Sequence, residues 1–192
     1  MGRRRGGGSK KEKARKSVTV KMLERMHAGK ITQPYRIMEQ LVEDHHQHLK
    51  DAKIAIAWRF GWKSDADGRI KLGQCKKGSD LDRELHGFDF VILLNHEVLN
   101  AAGFTEDQTT ALIDHELCHA AVTNDSNGEP KVDERGRTVY RIRKHDVEEF
   151  SEIVARHGCW KKDLEEFARV ALRDKRAPLF AGAPDKRPVA NA

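Results

Sequence analysis

The chain has 192 residues, 34% of them charged and only 38% hydrophobic, which is enough for one modest core with polar ends left over. Its net charge of +6 and isoelectric point near 9.3 would attract a polyanion, but the basic residues concentrate at the N-terminus and so describe a tail more than a core. Three widely spaced cysteines without a Cys-x-x-Cys pair argue against a disulfide framework and a cysteine-only zinc ribbon, and no apolar run approaches the roughly 18 to 20 residues that span a bilayer.

Residues 1–16 (MGRRRGGGSKKEKARK) offer almost nothing to bury and lack the apolar centre of a signal peptide. They read as a disordered basic tail on a soluble, intracellular protein, and a cationic segment of this kind also favours weak nucleic-acid contact by counterion release. A single domain is expected over residues 17–175, with a flexible tail over 176–192.

Val18, Met22, Leu23 and Met26 recur at helical spacing and predict a short first helix before Gly29. A second helix is predicted from Pro34, with Ile37, Met38, Leu41 and Val42 as an apolar stripe running toward Leu49. It carries His45, His46 and His48. Adjacent histidines on a helix point in different directions, so these read as packing or solvated side chains, with His45 on the buried face.

Residues 54–60 (IAIAWRF) and 69–75 (RIKLGQC) flank a turn-rich segment and predict a hairpin-like pair of strands. After a polar stretch over 76–87, the run 88–95 (FDFVILLN) is the most hydrophobic strand candidate and is expected to be central or to face the site. His96-Glu97 reads as the strand end. Thr105-Glu106-Asp107-Gln108 is a capping box opening the next helix, on which Leu112, His115, His119 and Val122 share a face, so that the helix looks buried on most sides. An exposed loop is predicted over 124–136 and a short strand over 138–142. A helix opening at 144–150 (KHDVEEF) and closed by Gly158 follows, and a last helix over 161–173 is expected to bury Leu164, Phe167, Ala168 and Ala171.

The chemistry concentrates in Asp114-His115-Glu116-Leu117-Cys118-His119. An i, i+4 histidine pair clamps one metal ion from adjacent turns, and the carboxylate after the first ligand reaches the ion's water rather than the ion. Zinc lowers the pKa of that water to about 7 and Glu116 takes its proton, which describes a zinc hydrolase. A chance H-E-x-x-H match is expected roughly 0.04 times in a chain of this composition. A third protein ligand is required, and His145, Asp146, Glu148, Glu149 and His157 are the candidates. His145 is favoured, past a loop long enough to bring its helix back beside the motif, with Asp146 or Glu149 as alternatives. Tyr140 is a candidate oxyanion donor, although an aromatic in a short strand is more often core. Cys118 is expected to face away from both histidines as a small buried thiol.

DHELCHA at 114–120, HDVEEF at 145–150, GFDFVI at 87–92 and Arg156-His157-Gly158 together resemble the phage metallopeptidase family, a zincin-like group related in pattern to SprT-like proteins. The resemblance covers roughly residues 50–160. It implies a small α+β zincin-like domain, with a mainly antiparallel sheet packed on helices and the motif on a buried helix. It further implies zinc held by His115, His119 and His145, with Glu116 catalysing peptide hydrolysis in a phage or prophage product of the bacterial cytoplasm. HDVEEF departs from the His-Gly pattern usual at the third ligand of SprT-like proteins, and their C-terminal cysteine-rich ribbon is absent. A reading from another class is a nucleic-acid-associated module, in which zinc is structural or vestigial and the basic tail binds DNA.

Overall fold

The computed structural model describes residues 19–173, and both expected tails, 1–16 and 176–192, lie outside the described residues. Strand β6 (Phe90–Asn95) explains the arrangement around it. Its residues are apolar on both faces, with Phe90, Ile92 and Leu94 fully buried, so it needs a neighbour on either side and cover above and below. It sits between β4 (Ile54–Arg59), to which it is parallel, and β5 (Gly73–Lys77), to which it is antiparallel. The order β1-β4-β6-β5, with β1 at Val20–Met22, makes a four-stranded mixed sheet in an α+β fold.

This corrects two expectations. Residues 54–60 and 69–75 do not form a hairpin, because β6 inserts between them and takes the backbone bonds of both. Residues 19–26 are not helical, Val18 of the expected helix lying outside the described residues: Val20, Lys21 and Met22 pair with Arg59, Trp58 and Ala57 along the open edge of β4. Strands β2 (Met26–His27) and β3 (Lys30–Ile31) then form a hairpin whose two turn residues, Ala28 and Gly29, both have positive φ, as a type I′ turn requires. Met22 and Met26 mimic helical spacing, but long-range pairing overrides it.

Helix α1 (Gln33–Asp44) has Pro34 in its first turn and buries Tyr35, Ile37, Met38 and Leu41. A 3-10 turn (Gln47–Leu49) follows and buries Leu49. The Tyr35 hydroxyl accepts the Ile56 N–H at 3.0 Å inside the core, tying α1 to the sheet. The polar stretch after β5 contains α2 (Asp80–His86), held by a Ser79/Asp82 capping box and stopped by Gly87 at φ 72°. His96 and Glu97 open a short helix, α3 (His96–Leu99), instead of ending the strand.

The motif helix α4 (Glu106–His119) begins as expected: Thr105 Oγ1 accepts the Gln108 N–H and Gln108 Oε1 accepts the Thr105 N–H, at 3.2 and 2.8 Å. It packs on α1 and on β5, burying Ile113, Glu116 and Leu117. It is not buried on most sides: Ala111, His115 and Cys118 are exposed. It also ends sooner than its apolar pattern suggests, at His119, and Ala120–Val122 continue as β7, so Val122 is not on the helical face. Strand β8 (Tyr140–Ile142) pairs with β7, opposing Ala120 with Ile142.

After β8, residues 143–150 run as irregular chain and α5 (Ser151–His157) starts only at Ser151, closed by Gly158. Helix α6 (Lys162–Arg173) buries Leu164 but leaves Phe167 exposed. Among the described residues, no helix is long and apolar enough to cross a membrane.

Candidate metal centre

The β7–β8 pairing builds the centre. Because Ala120 opposes Ile142, the first residue after β8, Arg143, meets the last residue of the motif helix, His119. The Arg143 N–H donates to the His119 carbonyl at 2.8 Å, and His119 Nδ1–H donates to the Arg143 carbonyl at 2.7 Å. Two residues further on, the chain places His145 over the motif. His145 therefore arrives from a strand extension rather than from the predicted helix.

The three imidazoles converge. Nε2 of His115 lies 3.3 Å from Nε2 of His119 and 3.1 Å from Nε2 of His145, and the three ligand atoms fall within 4.8 Å of one another. Two nitrogens bound at about 2.0 to 2.1 Å to one tetrahedral ion are about 3.3 Å apart, so these spacings suit a shared ion with little adjustment. The tautomer suits it too. With Nδ1 of His119 committed as a donor to Arg143, its Nε2 carries a bare lone pair facing the other rings. Burial, then the neighbouring His119 and His145, lowers the His115 pKa, favouring the neutral imidazole that ligation needs.

Glu116 lies against β5, 4% exposed. Its carboxylate accepts a hydrogen bond from the backbone N–H of Cys75 and feels His119 and Lys71, but burial outweighs all three and raises its pKa. The strand gives way to make room: a Cβ built on Gly73 would sit 2.5 Å from Glu116 Oε1. Sequence reasoning missed Gly73 and the Cys75 amide, and a glycine inside a predicted strand was the available signal of close approach. The Cys75 thiol is pushed up to about 12, chiefly by burial and further by Glu116.

Two cavities open onto the imidazoles. One, of about 620 Å³, is lined by Leu72, Gly73, Phe104, Ala111, Leu112 and Ile142 together with His115, Glu116, His119 and His145. The other, of about 570 Å³, lies beyond the same three histidines among Cys118, Arg143, Lys144, Asp146, Val147 and Phe167.

The other candidates for third ligand are engaged elsewhere. Asp146 pairs with Arg143 at 2.5 Å, and Glu149 accepts the Phe150 N–H at 2.9 Å and faces Lys161 at 3.5 Å. Glu148 and His157 are exposed and outside the cluster. Tyr140 is 4% exposed, packs edge-on against Phe90 and faces Arg83, so it belongs to the core rather than to the oxyanion position. Cys118 is exposed, contrary to expectation, because α4 turns that side away from the core. In the histidine-rich segment it is His46 that is buried, not His45: the helix ends at Asp44 and the 3-10 turn swings His46 inward, where its Nε2 meets Asp114 Oδ1 at 2.7 Å.

The sequence profile of the family described as "Putative phage metallopeptidase" matches residues 28–168. No curated protein and no solved structure matches the chain.

Proposed function

The chain belongs to the phage metallopeptidase family, and from that membership together with the site geometry we propose that it is a zinc-dependent endopeptidase acting in the host cytoplasm. The observation that carries this reading is the convergence of the His115, His119 and His145 Nε2 atoms beside a buried glutamate at the floor of a cavity. Three neutral imidazoles with an open fourth position suit zinc in a hydrolytic site. When bound, the ion supplies Lewis acidity, polarising a scissile carbonyl and acidifying water.

The protein's own groups do the rest. Glu116 is the general base: it accepts the proton of the attacking water and later returns it to the departing amine. Its aim is fixed by the Cys75 N–H and by the absence of a side chain at Gly73. The Arg143 carbonyl holds the His119 ring in one tautomer and orientation, as the outer partner of a ligating imidazole does. The apolar walls at Leu72, Phe104, Leu112 and Ile142 exclude water from beside the base, which strengthens its interaction with developing charge. Cavities on both sides of the histidines let a chain continue past the site in either direction, which favours internal cleavage over trimming of ends.

The test is hydrolysis of unstructured protein substrates by the zinc-loaded chain beside Glu116→Gln. The proposal predicts a rate about 10²- to 10⁴-fold lower in the variant at unchanged zinc content. Equal rates would remove Glu116 from catalysis.

A further inference from the structure

Helix α4 carries a second i, i+4 pair of ligating residues, one position before the first. Asp114 and Cys118 lie about 100° around the helix from His115 and His119, and they meet an imidazole from another element, as the first pair does. That imidazole is His46, and the ligand atoms of His46, Asp114 and Cys118 all fall within 4.8 Å of one another. We infer that His46, Asp114 and Cys118 form a second zinc site, structural in kind, that clamps the end of α1 to the motif helix.

The donor set decides the ion. A thiolate with an imidazole and a carboxylate suits zinc or cobalt and disfavours magnesium and calcium, which take oxygen ligands. The His46 side chain is 7% exposed, and beside it His48 Nε2 lies 3.2 Å from the carbonyl of Ala120, the first residue of β7, so the imidazole is delivered by packed structure. Cys118 is exposed and Asp114 partly so, which gives an ion a way in and leaves room for water as fourth ligand. Nε2 of His46 and Oδ1 of Asp114 are 2.7 Å apart, whereas two ligands of one tetrahedral ion stand about 3.3 Å apart. Entry of zinc therefore opens this hydrogen bond by roughly 0.6 Å, within reach of a small side-chain rotation of Asp114. The thiol and the imidazole each release or forgo a proton as the ion binds.

The two sites can be told apart by sulfur, because the three-histidine centre contains none. The experiment is metal analysis of the full-length zinc protein, with near-ultraviolet absorption of the cobalt-substituted protein, in which a thiolate ligand gives a sulfur-to-cobalt charge-transfer band. The wild type is expected to hold two ions per chain and to show the band. Cys118→Ala should hold one ion and lose the band, whereas His115→Ala/His119→Ala should hold one ion and keep it, so failure of the catalytic centre to bind metal would not be mistaken for failure of this one. No thiolate band in the wild type, a band that survives Cys118→Ala, or a metal content that Cys118→Ala leaves unchanged would each overturn the proposal.

Discussion

The motif helix offers two i, i+4 pairs of metal-competent side chains, one residue out of phase, and the surroundings of the two pairs differ in what they allow. Around His115 and His119 the third imidazole comes from irregular chain after β8, a carboxylate lies beside the cluster, and cavities open on both sides. Around Asp114 and Cys118 the third group, the one imidazole of that cluster, comes from a packed turn and is itself buried. Similar ligand spacing thus supports two different roles. Ligands alone make a clamp, and a catalytic centre needs in addition a placed base and space for a substrate.

The strongest way to break this division is to remove one cluster and watch the other. His119→Ala is expected to reduce peptide hydrolysis to background and to abolish one zinc equivalent while leaving cobalt–thiolate absorption in place; loss of both signals would mean that the clusters act as one unit. A smaller effect is expected from Gly73→Ala. Its new methyl group would meet the Glu116 carboxylate at 2.5 Å and turn the base from its position without touching a ligand. Hydrolysis should fall about 10- to 100-fold, mostly in kcat, at unchanged zinc content, since a misplacement of about 1 Å costs that much. A variant as fast as wild type would show that Glu116 needs no such fixing.

The sequence disclosed these two regions unequally. The start of the motif helix and its ligand pattern were legible, because its capping box, its histidine spacing and its carboxylate are local facts about Thr105 to His119, whereas its end at His119 and its exposed side are set by the β7–β8 pairing and by packing. His145 was legible as a residue but not as a structure: KHDVEEF has helical spacing, whereas the chain leaving the pairing of Ala120 with Ile142 runs irregularly and turns helical only at Ser151. His46 was passed over for the same kind of reason, since its partner Asp114 is 68 residues away. Strand β6 announced its central place through its unbroken apolar run, but the neighbours it would choose, a parallel β4 and an antiparallel β5, are decided by tertiary pairing. Helix α2 carried its own local signal, Ser79 three residues before Asp82, and could have been found.

On the side of the clamp, His46→Ala removes a buried imidazole from Asp114 and should lower stability by about 1 to 3 kcal/mol in denaturant unfolding without zinc. Hydrolysis by the zinc-loaded protein that remains folded should change little. A large loss of kcat at full folding would move His46 into the catalytic machinery and blur the division between the clusters.

The smallest effect concerns the loop between the motif helix and the segment that carries His145. Asp133 accepts from the backbone N–H groups of Arg135 and Arg137 and from the Arg137 side chain, and Arg137 reaches Glu84 on α2. These bonds, led by the Arg137 backbone N–H, hold the Asp133 carboxyl down to about 2 from its ordinary 3.8. A depressed pKa contributes stability that is fully present above about pH 4 and is lost as pH falls through about 2. Asp133→Asn should remove that acid-range dependence from the protection of the Arg137 amide against hydrogen exchange and alter zinc binding only slightly. An unchanged protection profile would assign the turn's order to its glycine instead.

The most direct measurement is zinc titration in a Cys118→Ala background, where only the three-histidine centre remains, comparing His145 with His145→Ala. The account predicts one tightly bound ion with His145 present and loss of stoichiometric binding without it, while Asp146→Ala in the same background keeps the ion. Retention of one ion with unchanged affinity in His145→Ala would contradict it.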